Sequence, residues 1–524
     1  MPALDTVVIG AGLGGLASAI RLAAAGQRVL VLERNATVGG KMSEVRAAGF
    51  RFDTGPSVIT MREVLEDLFV TAGQSMHDHL ELLPVDPLTR YFFADGSTLD
   101  IARSLPDTLA QIARLDERDV AGYQKYLAYA ARLYNITAPV FTFGPPPALA
   151  SLRQVPVADA LFAGGQALRS MQAAICAHVQ HPHLRQLLGR FATYVGASPY
   201  LATALLSVVA HVELNGGVWY PRGGVYAIAG ALEGVARKLG VEIRTGAAVT
   251  AIELQPHNKR QRVASVRLAS GEVIACRAVI ANTDVADVYS QLLPAAFGAR
   301  AARLAHREVS CSGFIMLLGV AAQHAQLAHH NILFSADYAR EFQQLFEQQH
   351  PPDDPTVYVA ITSKTDSAHA PAGCENWFVL ANVPASSAHY NWEEGRARYA
   401  ELVLARLTRL GLDVRTLRYS TIFFSAGSGA HERRAPWRVV WRLVQHPVGA
   451  VCAPAQRSAG CGRSVLCGRH HASGRWRAAS AAFRQTGCRA GAAAGLAAAN
   501  NATAAECAVL GLPSAELTSR DAWP

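Results

Sequence analysis

The sequence predicts a three-layer α/β fold on a parallel sheet with a mixed α/β region inserted into it, and three observations carry the prediction. A β-branched run, a glycine turn and an apolar helix succeed one another at the amino terminus. A second apolar run ending in an acid follows at about 20 residues' spacing. The chain then leaves this pattern near residue 81 and returns to it near residue 215.

Thr6 to Ile9 is short and β-branched, as suits a strand covered on both faces. It runs into Gly10-Ala11-Gly12-Leu13-Gly14-Gly15, and Leu16 to Ala25 then has the Ala and Leu content of a helix that Gly26 closes. Arg28 to Leu32 (RVLVL) reads as a second buried strand with Glu33 at its end. In a dinucleotide site each residue type has a physical task. Gly10 permits the turn, Gly12 lets backbone approach a pyrophosphate, Gly15 lets the helix pack closely, the helix N-terminus favours the anion, and the carboxylate meets ribose. A bare glycine fingerprint is weak, whereas one set between strand, helix and strand is strong.

NAD and FAD share that fingerprint, so the next residues must arbitrate. They are Val38-Gly39-Gly40-Lys41-Met42 and Phe52-Asp53-Thr54-Gly55-Pro56-Ser57. Read alone, Gly39 and Gly40 also suit a β-hairpin turn, Lys41 a solvated loop, and Asp53 a turn former beside Gly-Pro.

Met61 to Ala72 and Leu109 to Leu133 have helical patterns, and Leu83 to Ile101 alternates as strands do. Val140 to Leu152 (VFTFGPPPALASL) is apolar and proline-rich without helical periodicity, which suits a membrane-docking or tunnel-mouth surface and equally a buried loop. Leu184 to Tyr200 runs from an amphipathic helix into a turn whose residue types would pack under a long apolar substrate. Gly216 to Gly224 (GGVWYPRGG), a helix over Ala227 to Leu239, strands at Val241 to Arg244 and Val249 to Ile252, a hairpin over Ser265 to Ile274 and a buried strand at Ala278 to Ala281 entering Asn282-Thr283-Asp284 return the chain to the nucleotide fold.

The 524 residues, half of them apolar, suffice for two or three domains. The net charge of +9 would ordinarily point to nucleic acid or anionic membrane, but it is local. Residues 431–490 hold eleven Arg and one Glu without Lys or Asp, so that stretch carries +10 and the remainder, +9 less +10, carries −1. No nucleic-acid partner is expected. None of the nine cysteines forms a CxxC pair, so neither a disulfide framework nor a zinc site is expected. His77 with His79, His329 with His330, and the trio His178, His181 and His183 lack ligand-spaced companions and read as surface or capping residues, so no metal is expected. No signal peptide or membrane-length apolar run is seen, which reads as intracellular and not integral to a membrane.

Cys461 to Ala478 (CGRSVLCGRHHASGRWRA) reads as a glycine-rich cofactor motif translated one base out of frame. Shifted forward by one base, Arg463 to Ala478 becomes GLYYAAGTTHPGGGVP, Trp437 to Arg442 becomes GALYGA, and Ala478 to Arg489 becomes roughly PPALLSGRLAA. The reading implies a flavin-binding C-terminal region replaced over 435–489, and it predicts that this stretch lacks convincing burial.

Taken together, VVIGAGLGGL, GGKM, FDTGPSVITM, GGVWYPRGG and VIANTD resemble the bacterial-type carotenoid desaturases, the phytoene desaturase family within the amine oxidase superfamily. MREVLEDLFVTAG and LRQLLGRFATYVGASPY are most similar to its hydroxyneurosporene (1-hydroxycarotenoid 3,4-) desaturase branch. The resemblance covers about Leu4 to Leu410 in the written frame and reaches Arg489 only in the shifted one. It implies a Rossmann-type FAD-binding domain with a parallel sheet and an inserted mixed α/β substrate domain. The expected segments are 1–80 and 215–300 for the FAD domain, 81–214 and 301–430 for the substrate and membrane-docking region, and a return to the FAD domain over 431–524.

By the same resemblance FAD is held noncovalently by Gly10, Gly12, Gly14, Gly15, Glu33, Arg34, Gly40, Lys41, Asp53, Gly55, Pro56, Val249 and Asp284. Val249 would offer its backbone to adenine, with core packing the equal reading, and Asp284 is a turn cap or a flavin contact. Desaturation passes a hydride to the cofactor, since no side chain can accept one, and a proton is lost from the neighbouring carbon. No catalytic side chain is assigned. The implied substrate is a hydrophobic C40 carotenoid such as 1-hydroxyneurosporene, oxidised at C-3,4, with His178, His211 and Tyr194 as possible partners of its hydroxyl. The implied electron acceptor is oxygen or a quinone, and the implied location is cytoplasmic, peripheral to the inner membrane. Phytoene desaturase, carotenoid isomerase and a non-catalytic prenyl-lipid carrier are the alternatives.

Overall fold

In the computed structural model of the chain, residues 4–144, 155–257, 260–305, 310–385, 390–424 and 508–510 are described. Two sheets organise them. The first is built from β1 (Leu4–Ile9), β2 (Val29–Leu32), β9 (Glu242–Arg244), β10 (Val249–His257), β11 (Arg260–Leu268) and β12 (Val273–Ala281). Its order is β10-β11-β12-β1-β2-β9, and β18 (Ala508–Leu510) also pairs with β12. β12, β1, β2 and β9 run parallel, while β10, β11 and β12 form an antiparallel meander at one side.

The parallel strands are continuous apolar runs because both faces are covered. Val7, Val8, Leu30 and Val31 are fully buried. Helix α1 (Leu13–Ala24) returns the chain from β1 to β2 and shares a core with the helix Tyr226–Lys238 and with α2 (Arg62–Thr71).

The second sheet has the order β17-β13-β16-β15-β14-β6-β7. Its strands are β6 (Thr89–Phe92), β7 (Thr98–Ile101), β13 (Ser312–Val320), β14 (His330–Leu333), β15 (Val357–Ile361), β16 (Glu375–Val383) and β17 (Leu417–Phe424). Only β14 and β6 pair in parallel. β13 is buried over its whole length, between β16 and β17. The hairpin of β3 (Glu44–Ala47) and β4 (Phe50–Asp53) packs on this sheet through Phe50 and Phe52, which share a cluster with Ile315, Leu317 and Phe378. A further short pair joins β5 (Leu82–Pro84) to β8 (Trp219–Pro221).

Helices fill the space between. The single helix expected over Leu109 to Leu133 is two, α3 (Leu105–Leu115) and α4 (Arg118–Thr137). Asp116 divides them: its backbone is extended and its carboxylate accepts the Arg118 N–H at 3.0 Å, an Asx turn that starts a new helix. Leu184 to Tyr200 has the expected course, with the helix Pro182–Gly189, a tighter 3-10 stretch over Arg190–Val195 and a left-handed stop at Gly196.

Candidate functional site

The glycine loop is held by backbone bonds on every side. Gly10 donates to Leu32 O at 2.8 Å, Gly39 to Ala11 O at 2.8 Å, and Asn282 to Ile9 O at 2.8 Å. Gly10, Gly39 and Gly40 have φ of +97°, +103° and +60°, which favours glycine. A Cβ on Gly15 would lie 2.0 Å from Gly10 O, one on Gly12 would lie 3.1 Å from Asn282 Nδ2, and one on Gly40 would lie 3.0 Å from Gly12 Cα. The G-x-G-x-x-G turn, the GGK turn and the end of β12 therefore meet backbone to backbone.

They meet at the start of α1. No side chain caps this helix and no acid stands in its first turn, so its positive end faces the glycine cradle. Glu33, at the end of β2, is 4% exposed. Its Oε2 accepts the Ala11 N–H at 2.7 Å, and Oε1 accepts the Asn35 backbone and side-chain amides at 2.9 and 2.8 Å. Oε2 keeps one of its two acceptor positions for a hydroxyl. Cradle, helix terminus and carboxylate fit a dinucleotide: backbone for the pyrophosphate, Glu33 for the ribose.

The other predicted residues sit around this centre. Gly14 is buried in the first turn of α1 and Arg34 is exposed beyond β2. Val249 opens β10 beside the same strand end, since the Gly246 and Ala247 N–H groups bond Asn35 O and Glu33 O at 2.8 Å. Asp284 caps the turn after β12, accepting the Ala286 N–H at 2.8 Å. Lys41 is half-buried, and a Cβ on Gly55 would lie 2.0 Å from its carbonyl oxygen, so the Asp53–Ser57 loop, with Pro56 half-buried, lies directly on the GGKM turn.

Asp53 is the hub of that loop. Its carboxylate is 2% exposed and accepts Arg51 Nη2 at 2.8 Å, the Tyr220 hydroxyl at 2.5 Å and the Val225 N–H at 3.0 Å. Burial opposes the Arg51 charge, but Asp53 outweighs it and holds the guanidinium above its ordinary range; Glu44 adds a second bond at 2.7 Å. Burial and then Asp53 push the Tyr220 phenol well up. A Cβ on Gly224 would fall inside the Arg51 guanidinium, which explains the glycine pair ending GGVWYPRGG.

The second sheet reaches the same loop through two histidines. The Ser57 and Tyr358 hydroxyls are 2.7 Å apart, and Tyr358 lies 2.8 Å from His330 Nδ1. His329 packs edge-on to Tyr220 at 4.7 Å. His329 and His330, read above as surface or capping residues, are 4% and 1% exposed. His330 opens β14, which is interior to the sheet, and His329 immediately precedes it; spacing along the chain does not reveal which strands are covered. Burial holds His329 down to about 3, with His369 adding to it, and holds His330 well below the ordinary imidazole range, with His329 and Arg190 adding to it.

Deeper lies a buried polar cluster. Arg190 pairs with Glu213 and bonds the Tyr91 hydroxyl at 2.8 Å, while the Tyr194 hydroxyl also donates to Glu213. Of the groups expected to meet a substrate hydroxyl, Tyr194 is thus engaged with Glu213, His178 bonds Ala174 O at 2.8 Å, and His211 bonds Asn215 at 2.7 Å. Sequence reasoning missed Arg51, Arg190, Tyr358 and the histidine pair. The one signal available was polar His329-His330-Asn331 opening an otherwise apolar strand.

Among the described residues no three His, Cys, Asp or Glu side chains gather as metal ligands, and no helix is long and apolar enough to cross a membrane. The segment 435–489, read above as out of frame, lies outside the described residues, as does most of the proline-rich stretch after Gly144.

Residues 13–372 match the family described as flavin containing amine oxidoreductase. A 4,4'-diaponeurosporene oxygenase of Staphylococcus aureus is 37% identical over 412 residues, 78% of this chain and 81% of that protein. Among solved structures, an oxidoreductase from Methanosarcina mazei aligns over 80% of this chain and 88% of its own with a TM-score of 0.55 at 19% identity. A redesigned putrescine oxidase aligns over 81% and 84% with a TM-score of 0.54 at 15% identity. These two likenesses carry the fold alone. With the family matched over most of the chain and the dinucleotide cradle formed, the chain belongs to the flavin-containing amine oxidoreductases, an oxidoreductase family whose cofactor here is FAD.

Proposed function

We propose that this chain is a FAD-dependent desaturase of carotenoid biosynthesis that introduces the C-3,4 double bond into acyclic 1-hydroxycarotenoids of the 1-hydroxyneurosporene type. The observation that carries the carotenoid assignment is the 37% identity to a relative named for its action on 4,4'-diaponeurosporene. The motif likeness to hydroxyneurosporene desaturases supports the finer reading.

Bound FAD supplies the hydride acceptor. The chain's own groups position and dry the site. Arg51 with Asp53, and Arg190 with Glu213, are charges already paired, and Tyr91, Tyr220 and Phe334 are buried aromatic walls, with Tyr358 half-buried beside them. Such surroundings suit a long hydrocarbon, because burying an unpaired charge against it would be costly. Gly10, Gly12, Gly14, Gly15, Gly40, Lys41, Gly55 and Pro56 would line the pyrophosphate and ring, Glu33 and Arg34 the ribose end, Val249 the adenine, and Asp284 the turn beside the cradle. Asp53 would act by holding its loop in place.

The substrate dissolves in membranes, and a peripheral site at the inner membrane would let it enter without crossing water. Phe143, Val157, Leu161 and Leu168, which flank the proline-rich stretch along the chain, are exposed apolar side chains, and they support this reading. Oxygen or a quinone would reoxidise the cofactor.

The experiment is to load the purified protein with FAD and supply neurosporene, 1-hydroxyneurosporene and phytoene separately. A product lacking two hydrogens, with red-shifted absorption, from 1-hydroxyneurosporene is the expected result. A product that gains oxygen would favour the second reading, oxidation of a carotenoid end, which the staphylococcal relative's name supports. Flavin-free protein that binds pigment unchanged would refute both.

A further inference from the structure

We propose that His329 and His330 form the specificity site for an oxygenated substrate end, receiving the hydroxyl of a 1-hydroxycarotenoid through their two Nε2 atoms. The proposal rests on the reading of the substrate just given and names the residues that would discriminate it.

Each imidazole is tied down by one nitrogen and unpartnered at the other. His329 Nδ1 lies 2.5 Å from Thr365 Oγ1, and His330 Nδ1 lies 2.8 Å from the Tyr358 hydroxyl, itself held by Ser57 at 2.7 Å. The Nε2 atoms of both are buried and have no hydrogen-bond partner among the described residues. Buried polar atoms are nearly always satisfied, so two orphans on adjacent residues call for a ligand. The ring centroids lie 4.3 Å apart, tilted by 55°, so the two imidazoles are direct neighbours.

The pair stands beside the loop at the cofactor cradle. His330 is linked to Ser57 through Tyr358, and His329 to Asp53 through Tyr220. In a 1-hydroxycarotenoid the hydroxyl is two carbons from the bond to be oxidised, so its receptor must stand close to the hydride acceptor.

The chemistry matches a neutral hydroxyl better than an anion. Burial holds both imidazoles neutral, so the pair presents no charge to a polyene. An Nε2 that carries hydrogen donates to the hydroxyl, and one that does not accepts from it, so either tautomer is served by a group that both donates and accepts. Unhydroxylated carotene leaves both nitrogens unpaired, which is the arrangement that discriminates most strongly.

The test compares wild type with His329→Phe, His330→Phe, His330→Gln and Tyr358→Phe, all loaded with FAD. Pigment affinity is read from quenching of tryptophan fluorescence, and kcat/KM from product absorption, for 1-hydroxyneurosporene and neurosporene. Wild type is expected to favour the hydroxylated pigment by about 100-fold or more, and each Phe variant to bring the ratio to within about tenfold of unity, chiefly through the hydroxylated substrate. His330→Gln, whose amide reaches the Nε2 position, should recover part of the preference, and Tyr358→Phe should lose part of it. If wild type shows no preference, the substrate reading fails. If wild type discriminates and the folded Phe variants discriminate equally, the substrate reading stands and this inference is overturned. Variants that lose FAD or shift the flavin spectrum while keeping the hydroxyl preference would likewise overturn it, placing the pair against the cofactor. Circular dichroism identifies folded variants, and Tyr358→Phe carries the test if both Phe variants unfold.

Discussion

Replacing Asp53 by Asn should uncouple the loop that lies on the cofactor cradle from the segment leading into the helix Tyr226–Lys238. The carboxylate takes three donors, Arg51 Nη2 at 2.8 Å, Tyr220 OH at 2.5 Å and Val225 N–H at 3.0 Å, and both members of the ion pair are nearly inaccessible, at 2% and 4% side-chain exposure. Breaking a buried pair by neutralising one partner costs about 3–5 kcal/mol, because the other charge stays buried. Asn keeps one acceptor, and Glu44 remains 2.7 Å from Arg51, so the lower end applies. A loss of about 3 kcal/mol, or about 100-fold in the folding equilibrium, is expected. Urea unfolding followed by circular dichroism measures it, and flavin absorbance after gel filtration reads cofactor retention, which should fall in parallel. Removing both charges with Arg51→Met and Asp53→Leu should cost less than the sum of the single changes, since neither then leaves an orphan. An Asn variant within about 1 kcal/mol of wild type that retains its flavin would refute the assignment of Asp53 as the hub.

Gly15→Ala places a methyl 2.0 Å from the Gly10 carbonyl, backbone against backbone, and FAD retention by equilibrium dialysis should weaken by about tenfold or more; wild-type stoichiometry and affinity would contradict the packing role. The buried histidines set an acid limit. Folded, both are neutral, with His329 held to about 3, whereas the unfolded chain protonates them near 6.5. Stability is therefore complete above pH 6.5 and lost as pH falls, by about 2 kcal/mol at pH 5 for His329, with a further loss in the same direction for His330, and a His329→Asn, His330→Asn double variant should show a flatter profile in urea titrations from pH 7.5 to 5. Equal slopes would contradict it. Sequencing the gene across the codons for 424–489 should reveal a one-base insertion or deletion that restores GLYYAAGTTHPGGGVP; an uninterrupted frame encoding CGRSVLCGRHHASGRWRA would remove that reading.

The cofactor half of the site was legible because its determinants are local. Gly10, Gly12, Gly15 and Glu33 fall within one strand-turn-helix-strand unit, where a positive φ, a close backbone approach and a strand-end acid each leave a mark on residue type. The substrate half was legible only as composition. Leu184 to Tyr200 reads as amphipathic, but nothing in its spacing reveals that Arg190 is buried against Glu213 and Tyr91. Asp53 was singled out for the right loop, while its three partners, two of them over 160 residues distant, were invisible.

By itself, then, the sequence determined the dinucleotide-binding unit, the family, and the return of the chain to one parallel sheet, because turn glycines and apolar strand runs act over a few residues. Only the tertiary structure decided which polar residues are buried and what faces them. Ser57 meets Tyr358 across 301 residues because β15 lies in the interior of the second sheet, and His329 and His330 are withdrawn from water by strands on either side. Burial and long-range pairing are properties of the packed sheets, and residue spacing carries no record of them.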